Sequence, residues 1–158
     1  MANYASGTTV AAAKTQGEIM GLLAGRGVTK IATLSDDEKR VYTIAFEHEG
    51  VPYRCSLPLP DPEDRRFRMH SRGERTESAA AEEYRKEVDR KWRAFGMVIK
   101  AKIVAVEEGI STMQSEFIGN AILSNGMTVA ETHADELKTL AALGRLPGLT
   151  LALPGGQS

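Results

Sequence analysis

The stretch from Glu77 to Glu108, ESAAAEEYRKEVDRKWRAFGMVIKAKIVAVEE, constrains this chain more than any other. It has no proline and a single internal glycine, Gly96. On a 3.6-residue wheel Ala81, Tyr84, Val88, Trp92, Phe95, Ile99, Ile103 and Val106 fall on one stripe, the pattern of an amphipathic helix. Such a helix runs roughly 48 Å at its rise of about 1.5 Å per residue, longer than a small domain is wide. All other elements are shorter and have to pack against it. Up to about Arg93 its back is polar and mostly basic. From Ala94 onward it is apolar nearly all round, which predicts burial on several sides.

Ahead of the helix the period changes to two. Val28 to Leu34 reads as a strand, followed by the charged turn Ser35 to Arg40. Val41 to His48 alternates, with Tyr42, Ile44, Phe46 and His48 on one face. Glu49-Gly50 is a tight-turn signal, and Val51 to Leu59 returns with Tyr53, Cys55 and Leu57 in step. These runs predict a three-stranded antiparallel meander. Pro52 and Pro58 cannot donate ladder hydrogen bonds, so the third strand is expected at an edge.

The flanks are helical or turn-like. Thr15-Gln-Gly-Glu18 has capping-box spacing, predicting a short helix that buries Ile19, Leu22 and Leu23 and ends at Gly25 or Gly27. Thr76 or Ser78 is placed to cap the long helix, and Gly109 to end it. A short helix from Ser111 should carry Met113, Phe117 and Ile118. Asn125-Gly126 predicts a small hairpin over residues 121–129, and a last helix over about Ala130 to Leu143 should bury Leu137, Leu140 and Ala141. Residues 61–76 read as a mobile basic loop and the tail from about 147 as flexible. Helices and strands are segregated along the chain, which argues an α+β domain rather than a doubly wound parallel sheet. A chain of 158 residues is one such domain.

Charge is informative through its distribution. The net charge is only −1, yet residues 1–64 hold six Lys/Arg against nine Asp/Glu, residues 65–102 twelve against six, and residues 103–158 two against six. All the positive excess therefore lies in one central segment. A single cysteine, Cys55, excludes an intramolecular disulfide and a cysteine-rich zinc site. The N-terminus has no apolar signal region, and the longest nearly apolar run, Ala94 to Val106, contains two lysines. The expectation is a cytoplasmic protein with no membrane partner.

Few patterns suggest catalysis. His48, His70 and His133 are scattered without metal-ligand spacing, so no metal or cofactor is expected. Gly21, Gly25 and Gly27 close a helix, whereas a phosphate loop opens one. Glu82, Glu83 and Glu87 alternate with Lys86, Arg90 and Lys91 as a solvated, salt-bridged face, and Cys55 reads as a buried thiol. No acid/base or nucleophile constellation is visible, and a non-enzymatic protein is expected.

The stretch Arg65 to Arg75, RRFRMHSRGER, stands out with five arginines in eleven residues. Guanidinium groups bind phosphate bidentately and stack on bases, and Phe67 adds an aromatic surface. The candidate nucleic-acid or anion-binding residues are Arg65, Arg66, Phe67, Arg68, Arg72 and Arg75, joined by Lys100 and Lys102, which flank the apolar stripe. The same charge suits an acidic protein partner, a nucleotide ligand, or plain solubility. Because the long helix outruns a three-stranded sheet, one end of its stripe could stay uncovered, which predicts a homo-oligomer.

Several short motifs resemble those of a group of small phage and prophage proteins. They are Tyr4-Ala-Ser-Gly-Thr-Thr-Val10, Leu57-Pro-Leu-Pro60, Trp92-Arg-Ala94, Ile99-Lys-Ala-Lys102, Ala105-Val-Glu-Glu-Gly-Ile-Ser-Thr112 and Ile122-Leu-Ser-Asn-Gly-Met-Thr-Val129. The resemblance spans Tyr4 to about Leu149, departing at Ala11 to Ala13, Gly17 and Gly21. It implies a phage setting inside a bacterial host and carries no catalytic residue with it. Small proteins in that setting serve DNA replication, recombination or evasion of host defence, the last by binding a host protein or sequestering a nucleotide signal.

Overall fold

The computed structural model describes residues 9–146; the tail from about 147 and most of the Tyr4–Val10 motif lie outside them. Helix α1 (Val10–Ala24) leads into strands β1 (Val28–Asp36), β2 (Val41–His48) and β3 (Val51–Pro58). One helical turn, α2 (Arg65–Arg68), and a two-residue ladder of β4 (Met69–His70) with β5 (Gly73–Glu74) follow. Helix α3 (Glu77–Glu107) is the centre, and α4 (Met113–Phe117) and α5 (Val129–Ala142) complete the chain. The architecture is α+β.

The strands form one antiparallel sheet in the order β1-β2-β3, with β3 at an edge. The turn between β2 and β3 uses Glu49 (φ 50°) and Gly50 (φ 78°), the two left-handed residues that a tight hairpin of matching twist requires. Alternation then decides the faces. Tyr42, Ile44 and Phe46 from β2 and Tyr53, Cys55 and Leu57 from β3 are buried together.

Helix α3 lies across this face and buries Ala80, Val88, Trp92, Ile99 and Ile103, with Tyr84, Phe95 and Val106 half-buried beside them. Trp92 meets Tyr42 edge-on at 4.6 Å between ring centroids, and Phe117 of α4 meets Phe46 at 5.2 Å. The start of α3 is capped by Thr76, whose hydroxyl accepts from the Ala79 amide at 3.2 Å.

Helix α1 begins earlier than the Thr15 capping pattern predicts. Its cap is Thr9, whose hydroxyl accepts from the Ala12 amide and donates to the carboxylate of Asp89 on α3. The alanines that follow are strong helix formers, and Ala12 is buried, so Thr15 falls inside the helix. Arg26, just past the helix, pairs with Glu107, so α1 is tied to both halves of α3.

Three burial expectations need correction. The back of α3 from Ala94 onward is not covered: Met97 is 71% exposed, Val98 54% and Val104 41%. Helix α5 buries none of its residues, and Leu137 is 55% exposed; the helix is tied to the body at its start, where Glu131 pairs with Arg54 and the Val129 amide donates to the Ala121 carbonyl. Ile118 also faces out, since the chain turns into a 3-10 segment directly after Phe117. The expected 121–129 hairpin is reduced to a single bridge, Ile122 with Thr128, plus a Leu123 amide to Met127 carbonyl bond of 2.8 Å. Its first arm is engaged elsewhere: Ala121 bridges Tyr53, and the Ile122 amide donates to the Pro52 carbonyl at 2.8 Å. A piece of non-strand backbone thus covers part of the β3 edge.

Candidate functional site

The arginine-rich stretch expected as a loop has local structure with physical causes. Asp64 caps α2 by accepting from the Arg66 amide at 3.0 Å. Phe67, the lone aromatic among the charges, is buried and stands edge-on to Tyr84 of α3 at 5.5 Å. Phe67 is therefore an anchor, and its ring is not an open stacking surface.

Two arginines are consumed by the same task. Arg68 bridges Glu63 at 2.6 Å and Glu77 at 2.7 Å, holding the chain before α2 to the start of α3. Those two hydrogen bonds raise the pKa of its guanidinium, stabilising its charged form. Arg75 donates from one nitrogen to the carbonyls of Arg66 (2.9 Å), Phe67 (3.2 Å) and Met69 (2.7 Å), closing the turn from inside. A guanidinium is the side chain suited to that, with several fixed donors and no acceptor.

What remains forms a cationic cluster. Arg66 lies 4.6 Å over the Phe67 ring, 3.3 Å from Asp64 and 3.7 Å from Glu87 of α3. Arg90, one turn along α3, takes Glu87 at 2.6 Å. The hydrogen bond from Arg90 holds the Glu87 carboxyl below the usual carboxylate range, partly opposed by burial and helped by the charges of Arg90, Arg66 and Lys91. Three cations thus surround one carboxylate whose side chain is only 12% exposed. Arg65 and Arg72 add exposed guanidiniums that meet no acidic group among the described residues.

The eight candidate residues are not brought to one place. Lys100 and Lys102 lie along α3 roughly 20 Å beyond Glu87, by the helix rise. Lys102 donates to the Glu116 carbonyl, lies 3.8 Å from its carboxylate and 5.4 Å from the Phe117 ring, and so fastens α4. Lys100 lines a groove of about 280 Å³ between α1 and α3, with Thr15, Glu18, Leu22, Arg93 and Gly96. Sequence reasoning placed Arg90 and Lys91 on an ordinary solvated face. Only the docking of α2 against α3 joins them to Arg66, and their spacing within α3 carries no signal of it.

Other chemistry is sparse. Burial pushes the Cys55 thiol up to about 11, with the Lys102 ammonium pulling the other way, so the thiol is not a nucleophile at neutral pH. Among the described residues no group of three or more His, Cys, Asp or Glu converges to hold a metal, and no helix is long and apolar enough to cross a membrane. Comparison with known protein families, with curated proteins and with solved structures finds no match.

Proposed function

We propose that the protein is a non-enzymatic nucleic-acid-binding accessory protein, touching phosphates through the exposed cations around α2 and the first half of α3. The observation that carries this reading is the cluster of Arg66, Arg90 and Lys91 around Glu87, with Asp64 the other carboxylate on Arg66, and with Arg65 and Arg72 exposed on the same arginine-rich segment. After internal pairing is counted, this surface keeps a positive excess, and guanidiniums are well shaped for phosphate oxygens. Phe67 is buried, so binding rests on backbone charge and carries little base discrimination. The phage-like motifs suit a role beside replication or recombination.

The test is fluorescence anisotropy with labelled single-stranded DNA, duplex DNA and RNA across a salt series from about 50 mM upward. The variant carries Arg65→Ala, Arg72→Ala and Lys91→Ala, three cations without an ion pair among the described residues, and its circular dichroism spectrum should match the parent's. Expected are binding that weakens steeply with salt and a shallower salt slope in the variant, by about 0.7 to 0.9 for each phosphate no longer neutralised. Absence of binding to all three polymers at low salt overturns the reading, and so does unchanged binding by the variant.

A further inference from the structure

The exposed back of α3 has a regular pattern. Arg90, Ala94, Met97, Ala101, Val104 and Glu108 recur at alternating steps of four and three, the spacing of a helix-to-helix seam. All six are exposed, and they lie opposite Trp92 and Ile99, which face the protein's own core. Helix α3 therefore has two apolar stripes back to back, and only one is covered.

We propose that a second copy of this chain covers the other, its α3 lying antiparallel across the first about a two-fold axis level with Ile99. Two observations select this occupant. One is size: in that register Ala94 faces the partner's Val104, and Met97 faces the partner's Ala101, so a small side chain meets a larger one at every level. Alanines seven residues apart let the two backbones approach closely. The other is charge. One end of the stripe carries Arg90 and Arg93, the other Glu107 and Glu108, and neither Arg93 nor Glu108 has an ion pair within the chain among the described residues. An antiparallel pair sets the basic end against the acidic end twice, whereas a parallel pair sets like against like. Val98, beside the seam, would face its own symmetry mate and widen the apolar interface. Lys100 would also approach its mate, with Glu18 of α1 lining the same groove as a counter-charge.

The seam meets the cationic cluster only at Arg90, while Met97, Ala101 and Val104, which make its apolar part, lie further along α3, so Met97→Glu reads dimerisation separately from nucleic-acid binding. The experiment is sedimentation equilibrium of the full chain over roughly 1–100 µM, the range where interfaces of modest size reveal their affinity. Expected is twice the chain mass. Met97→Glu, which places a carboxylate in the apolar seam, should weaken association about a hundredfold or more with an unchanged circular dichroism spectrum. Arg93→Glu alone should weaken it about tenfold, and Arg93→Glu with Glu108→Arg should recover most of that loss. A single-chain mass throughout overturns the proposal. So does a dimer indifferent to Met97→Glu, which would place the interface elsewhere, or a double charge reversal no better than the single one.

Discussion

The Cγ2 methyl of Thr15 lies 2.7 Å from the point that a Cβ on Gly96 would occupy. Helix α1 crosses α3 at that glycine, and the close approach lets Ile19 and Leu23 enter the core. Gly96→Ala adds helix propensity of about 1 kcal/mol but drives a methyl into a β-branched side chain that cannot swing aside. Overpacking costs about 1–3 kcal/mol, so the net effect is a loss. Combining it with Thr15→Ser removes the obstructing methyl and should return stability to the parent level or slightly above. Urea denaturation of the four proteins in this cycle measures the non-additivity. Additive effects would mean that the Thr15 methyl is not the obstacle.

Arg75 donates to three carbonyls of the arginine-rich turn. Arg75→Ala should lower stability by about 1–2 kcal/mol, and Arg75→Lys should restore part of it, since the three bonds come from a single nitrogen that an ammonium on a flexible stem can only partly replace. Hydrogen exchange is the discriminating measurement. Protection should fall across Arg65 to Glu74 while β2 and the middle of α3 stay protected.

Glu87 and Glu131 set an acid limb of stability. Glu87 is held below its ordinary range by Arg90 first, and Glu131 by the Thr128 amide first, with Arg54 adding to it. A carboxylate whose folded pKa is depressed contributes fully above its unfolded value, about 4.3, and loses that contribution as pH falls through the lower folded value. Glu87→Gln should therefore destabilise at neutral pH, and the gap from the parent should shrink in acid, as pH falls past the unfolded value and through the lower folded one. Denaturation at the two pH values decides it; a gap that persists in acid would mean that Glu87 acts by packing.

Cys55 reports opening of the sheet. Its thiol is buried and its pKa lies near 11, so a disulfide reagent at about pH 8 should label it only through unfolding or opening of the β2–β3 face. Labelling rates should fall in step with added stability, and fast labelling of the native protein would contradict the burial.

Long regular periods made the centre of this fold legible. The alternation through β2 and β3 and the stripe of α3 each repeat enough times to outvote local noise, and Thr76 supplied the boundary. What escaped sequence reading depended on single side chains. Thr9 caps α1 while its hydroxyl donates a hydrogen bond to Asp89, 80 residues later, and nothing near Thr9 announces that. Phe67 folds the arginine stretch by burying one ring against Tyr84, and one residue has no period. Helix α5 shows the opposite failure: its apolar positions are spaced to face a core, yet spacing cannot say whether a core is there to meet Leu137. For the candidate site the charge excess was plain, but its division into anchoring and outward-facing arginines arises only from how α2 sits on α3.

The tie between Thr9 and Asp89 also has a bearing on the order of assembly. The meander closes through short turns and can form while the chain is still being made, but α1 meets it only lightly, as where Gln16 donates to the Tyr42 hydroxyl, and its main seat is α3. During synthesis the N-terminal helix must therefore wait, most of its apolar face uncovered, for α3 to emerge. This hydrogen bond, spanning half the chain, is then formed in the step that completes the fold, and slowing α3 should leave a sheet formed with α1 adrift.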